Sequence, residues 1–147
     1  MIIANNVNEN KVIQIKDNDK MIVFPELSFK IIGATFNVFN KLNWGMQEKY
    51  YQRALAKEFS DLGLRYEKEK FIPLEYKNEK IGHYFADFII EGKILLELKV
   101  VSKLGYIHCK QVLEYLKNAN IKLGILIYFT KDGVKYRRVL NSKINNN

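Results

Sequence analysis

Two short aliphatic runs, residues 85–90 and 94–101, carry three ionisable side chains among them: Asp87, Glu97 and Lys99. Runs this apolar and this short read as strands of a sheet centre. There a charged group costs free energy unless it is paired or holds a metal. Alternation puts Ile94, Leu96, Leu98 and Val100 on one face and Leu95, Glu97, Lys99 and Val101 on the other. Register decides whether Asp87 joins the pair. A two-residue turn at Glu91-Gly92 sets Asp87 opposite Leu96 and separates the acids. A three-residue loop, 91–93, pairs Ile90 with Ile94 and Asp87 with Glu97. The second register, or an equivalent bulge, is expected because it gathers all three charges. Two carboxylates and an ammonium on one sheet face make a hard-oxygen site suited to Mg²⁺ or Mn²⁺, with the lysine left to orient or deprotonate a water. The plainer alternative is a buried Glu97–Lys99 pair that only neutralises itself.

The surrounding pattern supplies the frame. Residues 1–24 are rich in Asn, Lys and Asp, and read as an arm with one edge strand at 12–15. From Pro25 an apolar period of three or four (Leu27, Ile31, Thr35, Val38, Phe39, Leu42) predicts a helix ending near 43–45. A second helix is expected over 46–62, with Tyr51, Leu55, Phe59 and Leu62 inward and Gly63 as its left-handed cap. Strands follow over 71–76, 81–90 and 93–101 as an antiparallel meander, then a helix over 107–118 and strands over 122–129 and 134–139. The fold class is α/β in the α+β sense: a mixed sheet with helices packed on it, one domain over 25–147. Glu48 lies on the stripe of Tyr51 and Leu55 and is expected to face the sheet. The alternative is a first-turn acid that only complements the helix dipole. Gln111 and Tyr115, four apart, share a helix face and suit either packing or support of the charged site.

Composition narrows the function classes. At 147 residues, 48% hydrophobic and with two prolines, the chain has material for one core and little linker. No apolar run approaches the roughly 18 residues that span a bilayer, and the first residues lack the layout of a signal peptide. The single cysteine, Cys109, makes no internal disulfide, so a cytoplasmic location is the expectation. Charge is uneven: residues 1–98 hold 14 basic and 14 acidic groups, whereas 99–147 hold 10 and 2. A positive field confined to one third of the chain fits a polyanion such as nucleic acid, although solubility charge explains it equally well.

Taken together, Gly45-Met46-Gln47-Glu48-Lys49-Tyr50-Tyr51, Ile81 through Asp87 to Ile89, Glu97-Leu98-Lys99, and His108 through Gln111 to Tyr115 resemble the motif blocks of the GxxExxY family, within the PD-(D/E)XK nuclease superfamily. The resemblance runs over residues 27–129 and implies a restriction-endonuclease-like core of helix, three-stranded meander, helix and further strand. It implies Asp87, Glu97 and Glu48 as metal ligands, with the Leu98 carbonyl as another oxygen ligand. Lys99 would position the attacking water. Gln111 and Tyr115 would support the site and contact nucleic acid, with His108 beside them. Phe39, Asn43-Trp44 and Tyr128 depart from the residues usual in the family, and none of them belongs to the acid and lysine set.

The expected activity is that of a Mg²⁺-dependent nuclease acting on nucleic acid, most simply DNA, with Lys103, Lys110, Lys117, Lys135, Arg137 and Arg138 tracking the backbone. Two other readings stand beside it: a nucleic-acid-binding or partner-binding module with the same fold and little turnover, and a purely structural ion-pair network. A helicase-type partner is expected from the resemblance. The exposed last strand suits pairing with a second copy as a homodimer.

Overall fold

The computed structural model describes residues 23–102 and 106–144. The expected arm strand at 12–15 and Lys103 lie outside them. Helix α1, Pro25–Leu42, starts with Pro25 in its first turn and buries Ser28, Ile31, Ile32, Ala34, Thr35 and Val38. It stops at Asn43, which turns to φ 60° while its N–H closes onto the Phe39 carbonyl. Helix α2, Glu48–Asp61, buries Tyr51, Gln52, Leu55, Ala56 and Phe59.

The end of α2 is set by Gly63 at φ +75°. Its N–H bonds the Ser60 carbonyl and that of Leu64 bonds Phe59, so the last carbonyls are satisfied as a left-handed glycine cap requires. Leu62 does not join the inward stripe as expected: it is 45% exposed. The helix ends one residue before it, and Leu64, across the cap, packs against the core instead.

The five strands are β1 (Tyr66–Tyr76), β2 (Glu79–Ile90), β3 (Ile94–Val100), β4 (Leu123–Thr130) and β5 (Gly133–Leu140), with α3 (Tyr106–Ala119) between β3 and β4. They form one sheet in the order β1-β2-β3-β4-β5, antiparallel except for the parallel β3–β4 pair that α3 connects. This is the expected mixed sheet. Strand β1 begins five residues earlier than its hydropathy predicts. Tyr66-Glu67-Lys68-Glu69-Lys70 is charged because β1 is an edge strand, mostly exposed, and such a strand has no alternation to read.

Helices α1 and α2 cover one face of the sheet, burying Phe88, Ile90, Ile94, Leu96, Leu98, Ile125, Ile127 and Phe129. Tyr51 anchors this side. Its ring stacks on Phe129 with centroids 4.1 Å apart, and its hydroxyl donates to the Asn43 carbonyl at 2.5 Å. Helix α3 covers the other face, packing Val112 and Leu116 on Ile72, Ala86, Ile89, Leu95, Leu126 and Tyr128. The close approach of α3 requires Gly124: a Cβ there would stand 2.7 Å from a Val112 methyl. Among the described residues, no helix is long and apolar enough to cross a membrane.

Candidate active site

The site lies where β2 leaves β3. Their ladder runs through Ile90↔Ile94, Ile89↔Leu95 and Phe88↔Leu96, the register expected of a three-residue loop, and stops there. Glu91 and Gly92 both take positive φ, 53° and 66°, and the Lys93 N–H closes the turn onto the Ile90 carbonyl. Asp87 comes next and stands opposite Glu97, yet no backbone pair forms. Its side chain takes over instead: Oδ2 accepts the Leu98 N–H at 2.8 Å, and its own N–H approaches Glu97 Oε1 at 3.4 Å. A carboxylate has replaced a ladder carbonyl at the point of the fork.

The other side of β2 bends at the same place. Glu69 on β1 faces Asp87 across the hairpin, unpaired, at φ 54°, between the pairs Lys68↔Phe88 and Lys70↔Ala86. A left-handed residue that is not glycine is uncommon in a strand. Both strands change faces there: Tyr66 and Phe88 pack toward α1 and α2, whereas Ile72, Tyr84 and Ala86 pack toward α3. The kink is what turns Asp87 toward Gln52 of α2, whose amide donates to Oδ1 at 3.0 Å.

Burial sets the electrostatics. Glu97 is only 8% exposed, and its carboxyl is pushed well above the usual carboxylate range, first by burial and then by the negative charge of Asp87. Lys99 opposes that shift. Asp87 is also raised, chiefly by burial, against the lowering effect of the Leu98 N–H; Glu48 raises it further, while Lys99 and the Gln52 amide lower it. Two neighbouring acids that are both raised, with Lys99 lowering each only in part, lack positive charge.

Most of the expected residues converge. Asp87, Glu97, Lys99 and Glu48 act on one another electrostatically. Glu48 does not turn away from solvent as expected: it is the first residue of α2, at the rim, and remains exposed. Its carboxyl is nevertheless raised by partial burial, against the pull of Lys99. Tyr115 stacks on Tyr84 with centroids 3.2 Å apart, and both hydroxyls are pushed up by burial and by Glu97, Tyr84 beyond the ordinary range and Tyr115 to about 12. His108 lies 5.7 Å from the Tyr128 ring, its Nδ1 buried without a described partner. Its pKa is lowered by burial and by Lys99.

Gln111, on the same helix face, is exposed and makes no side-chain hydrogen bond to a described residue. Of the expected cations, Lys110 is exposed on α3 and Lys117 pairs with Glu114 at 3.4 Å. Arg138 is not available to track a backbone in the expected way. It is largely buried, donates to the Val23 carbonyl at 2.6 Å, and has its pKa lowered to about 10 by that burial. Gln52 and Tyr84 were not legible as site residues. Gln52 follows the glutamate motif without belonging to it, and Tyr84 is one aromatic among nine tyrosines.

Among the described residues, no group of three or more His, Cys, Asp or Glu side chains is arranged to hold a metal ion. The donor set still fits a hard divalent cation. Asp87 and Glu97 offer carboxylate oxygens at one point, each raised by burial, and a positive ion would relieve the repulsion that Lys99 offsets only in part.

Comparison with known proteins bears on the fold and the family. No curated protein matches the chain. Among solved structures it is similar to the crystal structure of SSO0001, at 22% identity and a TM-score of 0.50, over 80% of this chain and 57% of that one. The likeness is one of fold, and the chain spans little more than half the length of that protein. A family model of the PD-(D/E)XK nuclease superfamily matches residues 25–139, from the start of α1 through most of β5. A carboxylate at the fork of two strands, a glutamate opposite it and a lysine two residues on are thus set in the sheet of a matched family, and the chain belongs to the PD-(D/E)XK nuclease superfamily.

Proposed function

We propose that the chain is a Mg²⁺-dependent nuclease of the GxxExxY type that hydrolyses phosphodiester bonds in DNA. The observation that carries this reading is the Asp87 carboxylate in the β2–β3 fork, bonded to the Leu98 N–H and next to Glu97. Asp87 and Glu97, with Glu48 at the rim and the Leu98 carbonyl, are the groups that would hold Mg²⁺ or Mn²⁺. The Leu98 carbonyl suits the part because a strand residue directs its N–H and C=O to the same side, here toward the fork. A bound divalent ion supplies Lewis-acid polarisation of the scissile phosphate and a lowered pKa for water.

The chain's own residues do the rest. Lys99, on the same face as Glu97, places an ammonium where negative charge grows on the phosphate and orients the attacking water. Gln52 fixes the Asp87 carboxylate by holding Oδ1, so that its oxygens keep one orientation. The stacked Tyr84–Tyr115 pair walls the site beside Glu97, keeping that carboxylate out of bulk water. The exposed Lys110 on α3 and the basic C-terminal third supply sequence-independent attraction to phosphates.

The test is cleavage of end-labelled single- and double-stranded DNA in Mg²⁺, Mn²⁺ or EDTA by the wild type and by Lys99→Ala. Metal-dependent products that disappear in the variant support the assignment. Equal cleavage by both proteins removes Lys99 from the mechanism, and no cleavage in any metal overturns the nuclease reading.

A further inference from the structure

Beyond the kink at Asp87, the outer part of the β1–β2 hairpin has one covered face and one bare one. Ile72 and Ala86 are 2% and 0% exposed beneath α3. On the opposite face the cross-strand partners Phe71 and Phe85 are 43% and 54% exposed. His83 joins them, its ring stacked on Phe71 at 4.9 Å and edge-on to Phe85 at 5.5 Å. Phe71 and Phe85 meet at 5.7 Å. Three rings thus form a continuous exposed strip, and Phe85 is two residues from Asp87. Large exposed apolar groups in contact with one another mark a surface that something else covers.

Cations identify what covers it. Lys80 Nζ stands 4.9 Å over the Phe71 ring. Across the fork, on the first turns of α2, Lys49 and Arg53 lie 5.3 and 5.9 Å from the ring of Tyr50, which is itself 41% exposed. Among the described residues none of these three cations has a carboxylate within ion-pair range. Aromatic faces rimmed by unneutralised cations suit a ligand that brings both flat π-systems and negative charge, which describes a nucleic-acid strand. A second copy of the chain would bring like charges together instead.

We propose that Phe71, His83 and Phe85 form a stacking platform for the bases of an unpaired strand, flanked by Lys80 on one side of Asp87 and by Lys49 and Arg53 on the other. The platform selects single-stranded nucleic acid, because stacking needs an open base face and a duplex offers only base edges and its two ends. This rests on the nuclease reading above and names the form of its substrate.

Anisotropy of a labelled, mixed-sequence single-stranded DNA, and of the same sequence as duplex, measured in EDTA, tests the platform without chemistry. The wild type should prefer the single strand by about tenfold or more. Phe71→Ala and Phe85→Ala should each lose about tenfold on the single strand, as expected for one stacked base, and Phe85→Tyr should keep the affinity. Melting temperatures verify that the variants fold. Equal affinity for both forms, unchanged binding by the alanine variants, or no binding overturns the platform. So does a wild-type dimer in sedimentation that Phe71→Ala dissociates without changing DNA affinity. The two readings fail separately: single-strand binding that needs the aromatics, with no cleavage in Mn²⁺, sinks the nuclease alone, whereas metal-dependent cleavage with aromatic-independent binding sinks the platform alone.

Discussion

Strand β2 behaves as two strands. From Phe88 to Ile90 it is hydrogen-bonded on both sides and fully packed, Phe88 and Ile90 under α2 and Ile89 under α3. From Glu79 to Ala86 it is paired with β1 alone, and its outer residues on one face are open to solvent. The first half can only stabilise. The second half frees the edge of β3, and the backbone groups released there are met by a carboxylate that is still able to bind something else. Ending a ladder early costs hydrogen bonds, and here it leaves a carboxylate and a strand edge together at the place proposed as the active site.

The contrast predicts different consequences on the two sides of one peptide bond. Phe88→Ala empties a space between the Phe59 and Tyr66 rings, which meet Phe88 edge-on at 5.2 and 5.5 Å. It should cost about 3–5 kcal/mol of stability in urea unfolding. Asp87→Ala should instead lower cleavage by about a hundredfold to a thousandfold while the protein still melts cooperatively. A variant at 87 that unfolds, or one at 88 that melts like the wild type, would erase the difference between the halves.

A pH titration sharpens the comparison. Because burial and Asp87 hold the Glu97 carboxyl above its ordinary range, the native metal-free protein keeps a proton that the unfolded chain releases. Between the unfolded and folded values the native state binds more protons, so stability falls as pH rises through that window. The melting temperature without metal should therefore drop by several degrees from about pH 5 to about pH 8. Glu97→Gln should flatten the curve, and added Mn²⁺ should oppose the fall by binding only the native state. A flat wild-type profile would mean that Glu97 is not held protonated by its surroundings. The smallest effect belongs to Gln52→Leu, which removes one amide from Asp87 Oδ1. Cleavage should fall by about tenfold with the melting temperature within a few degrees of wild type, and an unchanged rate would assign Gln52 to packing.

Legibility in the sequence followed local physics. The Gly63 cap, the alternation of β3 and the loop register at 91–93 are short-range effects, and each emerged where expected. The charged start of β1 was missed because an exposed edge strand carries no hydrophobic period. Glu48 shared the stripe of α2 yet sits at its open end, since periodicity gives a direction around a helix but not what lies beyond its first turn. Gln52 and Tyr84 carried no signal of their own as site residues, even though Tyr84 lies within a motif block, because their importance comes from partners 35 and 31 residues away in the chain, Asp87 and Tyr115.

The sequence by itself determined that Asp87, Glu97 and Lys99 sit in aliphatic strands, where charges are costly unless paired or metal-bound, and so made their meeting the favoured expectation. It also determined the order of the elements, since hydrophobic period and turn chemistry are local. Only the tertiary structure decided that the ladder stops at Phe88, that Asp87 bonds the Leu98 N–H in place of a strand, and that the far side of the hairpin is bare. Those outcomes depend on contacts between segments far apart in the chain, which no single stretch contains.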